Sequence, residues 1–388
     1  MDLSQMGENT RSVRAGERLD RRVGGVTTPI HTAAAYMAAD DVEGAYRYPR
    51  YLNIPTQAAP AEKLAALEGA ETAIALASGM AAIASSLLAV LQTGDHVVLQ
   101  ADLYGGTHRF LMAELTRLDI GFTMVAEADP ARLEAAVTEH TRAVFVETPS
   151  NPLLRVIDLE GVAAMARKRG LISMVDNTFA SPINQKPLAL GFDLSIHSGT
   201  KYLNGHSDLN CGLVAGPKAL VDAVKERAIN FGQTLNTYDC YLLERGMKTL
   251  SLRMARHNDN AQAVAEWLAA RKGVQAVHYP GLPAHPGHEL AKRQMLGFGG
   301  MMSFALDCSP QAARTFMDAL TLVLEAVSLG GIESLACFPA VTSHAKMPRE
   351  DRLAIGVGDT LVRLSVGCED AADIIADLAQ AMDAAGVA

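Results

Sequence analysis

The chain has little of what marks several protein classes. It has one tryptophan and five cysteines in 388 residues. The cysteines (Cys211, Cys240, Cys308, Cys337 and Cys368) are scattered, odd in number and free of Cys-x-x-Cys spacing. That pattern speaks against a disulfide framework and for reduced thiols that mostly pack, as in a cytoplasmic protein. No apolar run approaches the roughly 18 residues a membrane span requires, so none is expected. The start, Met1-Asp2-Leu3-Ser4-Gln5, lacks a basic stretch followed by an apolar core, so no secretory signal is expected. Basic residues are in the minority, 34 against 43 acidic, for a net charge of −9. Nucleic acid or an anionic membrane is therefore disfavoured as the main partner. Low-complexity tracts and internal repeats are absent.

What is present is ordinary for a globular chain: 49% apolar and 20% charged residues, long enough for a large core and two domains. Residues 1–57 carry Gly24-Gly25 and several prolines without a sustained period, and read as an extended arm. Within it, Tyr46-Arg47-Tyr48-Pro49-Arg50-Tyr51 mixes aromatics with arginines, a composition suited to phosphate or a partner's surface. A helical pattern begins at Thr56 and closes at Gly69. From Ala73 to Asp176, apolar strands alternate with helices, which predicts a mainly parallel sheet with right-handed crossovers. Beyond Lys248 a long helix precedes short strands near Val274, Met301 and Leu361, the texture of a smaller α+β domain. The expected units are an arm (1–57), a main domain (58–248) and a C-terminal domain (249–388).

Two strand ends carry chemistry. The apolar run Phe192 to Ile196 leads into Ser198-Gly199-Thr200-Lys201-Tyr202, and Leu171 to Val175 leads into Asp176-Asn177-Thr178. An ammonium at the mouth of a sheet is costly unless paired, deprotonated or converted to an imine. A lysine imine with pyridoxal phosphate gains an electron sink, and that cofactor needs a carboxylate at its ring nitrogen. Alone, Lys201 also reads as a snorkelling surface residue and Asp176 as a turn cap. Together, on successive strands of one alternating array, they favour the cofactor, because such sheets bind ligands at the carboxyl ends of their strands. Ser78-Gly79-Met80 opens an apolar helix and offers an anion site, or merely a strand–helix turn. Tyr104 and Asn151 also fall just beyond strand ends.

Over nearly its whole length the chain resembles the Cys/Met-metabolism family of pyridoxal-phosphate enzymes. That family includes cystathionine lyases and synthases, methionine γ-lyase and O-acetylhomoserine sulfhydrylase. The resemblance rests on Tyr104-Gly105-Gly106-Thr107, Glu147-Thr148-Pro149-Ser150-Asn151-Pro152, Asp176-Asn177-Thr178 and Ser198-Gly199-Thr200-Lys201-Tyr202. It continues through Gly246-Met247-Lys248-Thr249-Leu250, Ser328-Leu329-Gly330-Gly331-Ile332-Glu333-Ser334 and Leu361-Val362-Arg363-Leu364-Ser365. The resemblance implies a fold-type-I α/β architecture, a mainly parallel sheet sandwiched by helices with a smaller C-terminal α+β domain. It implies Lys201 as the cofactor's lysine and proton carrier, Asp176 at the ring nitrogen with Thr178 beside it, and Tyr104 as a catalytic residue that stacks on the ring and acts in proton transfer. Ser78, Gly79, Met80, Ser198 and Thr200 would hold the phosphate, and Asn151 would lie near the ring oxygen. Arg363 would grip the substrate carboxylate, with Ser328, Leu329, Val327 and Asn151 alongside. Tyr48 and Arg50 match a pair that reaches a neighbouring subunit's phosphate, which implies a homotetramer built from dimers with shared sites.

The resemblance has departures. One extra residue stands before the proline in Arg50-Tyr51-Leu52-Asn53-Ile54-Pro55-Thr56. Val327 takes a position where cystathionine γ-lyases and γ-synthases tend to carry Glu, and Gly106 one where methionine γ-lyases carry Cys. His285-Pro286-Gly287-His288 has the look of a metal pair but matches a family stretch without metal, so no metal is expected. The expected activity is carbon–sulfur lysis of cystathionine and of methionine or homocysteine in the cytoplasm. γ-Replacement is the alternative, and a non-catalytic cofactor-binding regulator is the reading from a different class.

Overall fold

The computed structural model describes residues 3, 5–37 and 47–387. Tyr46, in the aromatic stretch of the arm, lies outside them. The arm is not wholly extended: helix α1 spans Glu8–Arg14. Helix α2 (Pro55–Glu68) starts at Pro55, so the expected boundary after residue 57 would cut its first turn. Proline is suited to that position because its missing N–H would have no helical partner there, and Gly69 closes the helix at φ +70°.

Seven strands form the larger sheet: β1 (Thr72–Leu76), β2 (His96–Gln100), β3 (Gly121–Val125), β4 (Thr141–Glu147), β5 (Ile172–Asp176), β6 (Leu194–Ser198) and β7 (Gly212–Gly216). Their order is β1-β7-β6-β5-β4-β2-β3. The pairs from β3 to β6 are parallel, as the strand–helix alternation predicts. Strand β7, rich in glycine and unforeseen in the sequence, pairs antiparallel with β6 and with β1. Alternation along the strands sorts the core onto two faces. Val97, Leu99, Phe145, Met174 and Ile196 pack with Ala82, Ile83 and Leu87 of helix α3 (Gly79–Val90). Val98, Val144, Val146 and Val175 pack with Leu159, Val162 and Met165 of the helix Leu159–Arg169. Each such fully buried side chain contributes roughly 1.5–3 kcal/mol.

The second sheet joins β8 (Val274–His278), β9 (Met301–Leu306), β10 (Leu324–Glu325), β11 (Leu335–Cys337) and β12 (Leu361–Ser365) in the order β10-β11-β12-β9-β8. Its pairs are antiparallel except β10 with β11. Helices Leu250–Ala270 and Ala371–Ala384 supply Val264, Leu268, Leu378 and Met382 to the core over this sheet. This sheet turns Arg363 of β12 toward the carboxyl ends of β4, β5 and β6.

Candidate active site

Those strand ends enclose a cleft of about 630 Å3, lined among others by Gly79, Tyr104, Asp176, Lys201, Ser328 and Arg363. One corner is made by the start of α3. Ser78 caps it by accepting from the Ala81 N–H at 3.0 Å, and the 12-residue helix directs its first N–H groups into the cleft. A Cβ at Gly79 would lie 2.8 Å from the Ser198 Cβ, and one at Gly212 only 2.1 Å from the Ser78 carbonyl oxygen. Glycine at these positions lets the segments at Ser78, Ser198 and Gly212 approach one another closely beside the free N–H groups of the helix start. Met80 and Ser198 line the same corner. Thr200 lines it too, but its hydroxyl is occupied by the backbone of Cys211, accepting its N–H at 3.0 Å and donating to its carbonyl at 3.2 Å.

Asp176 ends β5 and is buried. Thr178 donates to its Oδ1 twice, from N–H at 3.0 Å and Oγ1 at 2.5 Å, and accepts the Ser198 N–H at 2.8 Å. No hydrogen bond claims Oδ2 among the described residues. Burial pushes this carboxyl up, while the Thr178 bonds and the neighbouring His197 pull it down.

Lys201 follows β6, and its Nζ donates to the Ser328 Oγ at 2.6 Å. Burial, helped by the Arg363 charge, lowers its amine to about 8. Ser328 itself is held at φ +82°, a conformation unusual outside glycine. Arg363 donates through Nη1 to the Asn151 Oδ1 at 3.1 Å and through Nη2 to the Ser328 carbonyl at 3.0 Å. Among the described residues no carboxylate pairs with this buried guanidinium. Its plane is fixed by neutral acceptors and its charge is left for an incoming anion. Val327 and Leu329 flank it on the cleft wall. Asn151, expected near a ring oxygen, has its carbonyl oxygen committed to Arg363, which leaves only its NH2 for other partners.

Tyr104 caps helix α4 (Gly105–Phe110) and its ring is half-exposed over the cleft. A Cβ at Gly106 would sit 2.4 Å from the Tyr104 Cε1, so the glycine makes room for this ring position. Tyr48 and Arg50 stand apart. Neither lines the cleft of its own chain; Arg50 donates to the Ile229 carbonyl at 2.9 Å, and the loop after it turns at Leu52, φ +53°.

Several cleft residues were not singled out as site residues in the sequence, Glu147 foremost among them. Glu147, buried at the end of β4, accepts the Tyr104 N–H at 2.8 Å and the Asn151 N–H at 3.2 Å. Burial and the Asp176 charge push its carboxyl well up. It gave the same signal as Asp176, an acid ending an apolar strand. Arg109, Thr342 and Ser343 also line the cleft, but their local sequence gives no pattern that would reveal them. His285 and His288 lie away from it; His285 Nδ1 accepts the Gly287 N–H, and His288 Nδ1 lies 2.8 Å from the Pro280 carbonyl oxygen.

A glycine-built anion corner, a strand-end acid with one free oxygen and a buried amine of lowered basicity fit the phosphate, ring nitrogen and aldehyde of pyridoxal phosphate. Together with the sheet that carries them, they define a fold-type-I pyridoxal-phosphate enzyme. Residues 9–383 match the profile of the Cys/Met metabolism PLP-dependent enzymes. A cystathionine beta-lyase of Lactococcus lactis is 43% identical over 376 residues, covering 96% of this chain and 98% of the relative. A cystathionine gamma-synthase of Mycobacterium tuberculosis is 45% identical over 380 residues, covering 97% of each. The crystal structure of cystathionine gamma-lyase from Lactobacillus plantarum, complexed with L-serine, superposes with a TM-score of 0.94 at 39% identity, covering 99% of this chain and all of that one. The chain belongs to the Cys/Met-metabolism family of PLP-dependent enzymes.

Proposed function

We propose that this enzyme is a carbon–sulfur lyase of sulfur amino-acid metabolism, cleaving cystathionine and, less selectively, methionine or homocysteine. The observation that carries the reading is the pairing of Lys201 with Ser328 beneath the unpaired Arg363 fork. The cofactor, when bound, supplies the electron sink that makes a substrate carbon acidic. Lys201 holds the cofactor and, with its basicity lowered to about 8, accepts and returns protons at Nζ near neutral pH. Asp176, oriented through Oδ1 by Thr178, presents Oδ2 to the ring nitrogen. The α3 start (Ser78, Gly79, Met80) with Ser198 would hold the phosphate, Thr200 would join them on releasing its hydroxyl from the Cys211 carbonyl, and Tyr104 would cover the ring. Asn151 and the Ser328 carbonyl orient Arg363 for a two-bond grip on the substrate carboxylate. Val327 and Leu329 shape the side-chain end.

Tyr48 and Arg50, turned from their own cleft, serve a neighbouring chain's phosphate, in a homotetramer of two site-sharing dimers in the cytoplasm. The arm runs to Ile54, the cofactor domain to Lys248 and the C-terminal domain onward from Thr249. The relatives' names divide between lyases and a synthase, so γ-replacement is the second reading. Product analysis with cystathionine, methionine, homocysteine and O-acetylhomoserine, each with and without added thiol, decides between them. Elimination products from cystathionine without thiol are expected. Products that form only when thiol is added would establish the synthase. Borohydride should fix the cofactor on Lys201, and attachment at another lysine would overturn the site.

A further inference from the structure

The residue after the cofactor's lysine begins a turn with unmet needs. Gly205 N–H donates to the Lys201 carbonyl at 2.8 Å and Asn204 N–H to the Gly199 carbonyl at 2.9 Å, closing one helical turn. The carbonyls of Tyr202 and Leu203 are left over, and no backbone N–H of the described residues reaches either. A buried carbonyl in that state needs a donor. Arg253 provides it. Its Nη1 donates to the Tyr202 carbonyl at 2.7 Å, and Nη2 to the Leu203 carbonyl at 3.3 Å and to the Gly246 carbonyl at 2.9 Å. Nε is held by the Thr249 hydroxyl at 3.1 Å. All three guanidinium nitrogens are committed.

The location is costly for a cation. Arg253 is buried and lies in the first turn of the helix Leu250–Ala270, near the positive end of its dipole, with no carboxylate paired to it among the described residues. Burial lowers its guanidinium only to about 10, so it is charged at neutral pH. Four acceptors on three segments offset that cost, and a planar fork meets them where an ammonium could not. The turn is also shaped around it. Gly205 is at φ +74°, and a Cβ there would lie 2.0 Å from Nη1. On the opposite side the substrate wall closes in: Ile332 N–H donates to the Gly205 carbonyl at 3.0 Å, and a Cβ at Gly330 would meet the Tyr202 nitrogen at 2.9 Å.

We infer that Arg253 is a positioning residue: it clamps the Lys201–Gly205 turn from the C-terminal domain and so fixes where the lysine Nζ stands in the cleft. This rests on the reading of Lys201 as the cofactor's lysine. The test compares wild type with Arg253→Lys and with Thr249→Ala, which leaves the guanidinium in place, removes the Nε acceptor and that hydroxyl's own bond to the Gly246 carbonyl, and is the gentler variant. Amide hydrogen exchange is followed in the cofactor-free proteins, and pyridoxal phosphate release, kcat and KM in the loaded ones. Losing one net hydrogen bond from the clamp should speed exchange at Asn204 and Gly205 by about tenfold. Strand β12 should be unaffected. Cofactor release should quicken, and kcat should fall about tenfold or more with KM nearly unchanged. Thr249→Ala should shift the same readouts in the same direction by less, and it decides the test if Arg253→Lys does not fold. Unchanged exchange at the turn, or exchange raised equally throughout the chain, would overturn the clamp. If the turn loosens but borohydride fixes the cofactor on another lysine, the Lys201 reading falls, and the clamp's catalytic role with it.

Discussion

Replacing Val327 by Glu tests how the cleft reads the far end of its substrate. Cystathionine carries a distal ammonium that methionine and homocysteine lack, and a carboxylate at position 327 would pair with it. Were the pair largely buried, it would be worth about 1.5–3 kcal/mol. The structure lowers that figure, because Val327 stands on the cleft rim with 65% of its surface exposed in the single chain. An ion pair so well solvated is worth roughly 0.2–1 kcal/mol. Val327→Glu should therefore raise the specificity constant for cystathionine relative to methionine by up to about fivefold. Val327→Gln, nearly isosteric with that glutamate and neutral, should give no such gain, and the gain should shrink as salt is raised from about 0.05 to 0.5 M. Wild type itself should prefer cystathionine by less than about a hundredfold. Steady-state kinetics on each substrate supplies all of these ratios. A wild-type preference of a thousandfold or more would refute the reasoning and mean that another group reads the distal end. Arg109 and Ser343 on the cleft wall, and Arg47 beside the arm motif, would then be the groups to examine.

Cofactor capture should depend on pH in a particular way. An attacking amine must be neutral, and the Lys201 amine is lowered to about 8, so capture by cofactor-free protein should rise to half its maximum near pH 8 and then level off. Removing the nearby cation with Arg363→Gln should move that midpoint upward, and a stopped-flow rate that still climbs steadily through about pH 10, as for an ordinary lysine, would contradict this. Gly79→Ala should press on Ser198, at a cost of about 1–3 kcal/mol and hence about fivefold to 150-fold in cofactor affinity, read by equilibrium titration; unchanged affinity would remove the anion corner. Mixing inactive Lys201→Ala with inactive Arg50→Ala subunits should restore part of the activity, since one site of each hybrid dimer then has both residues. Verified hybrids without activity would keep Arg50 out of every site.

Much of the site lay on the surface of the sequence because strand ends are legible. An apolar run that stops at Asp176, or that leads through Ser198 to Lys201, marks a polar group at the edge of a buried sheet. Parallel topology sends all such ends to one side. The start of α3 was legible for a similar reason, since Ser78 and Gly79 stand where a strand must become a helix. Glu147 gave the same signal as Asp176, yet its role could not be separated from a turn function until its two N–H partners were placed. Strand β7 escaped notice because Gly212-Leu213-Val214-Ala215-Gly216 is short and bounded by glycines, which weaken a strand's local preference. The arm's helix α1 was likewise hidden by neighbouring glycines and an unsustained period.

What the sequence determined alone was the kind of chemistry: an amine and a carboxylate at neighbouring strand ends, a glycine-opened helix and an arginine far downstream. Local pattern carries that much, because burial period and turn residues act over a few positions. The tertiary structure decided what each group is free to do. The Lys201 amine is lowered by burial and by a guanidinium 162 positions away, 363 less 201. Arg363 is aimed by Asn151 and Ser328, from two different segments. Arg253 holds the lysine's turn from the first turn of the helix Leu250–Ala270. Charge state and orientation depend on desolvation and on partners distant in the chain, and these exist only once the two sheets have closed over one cleft.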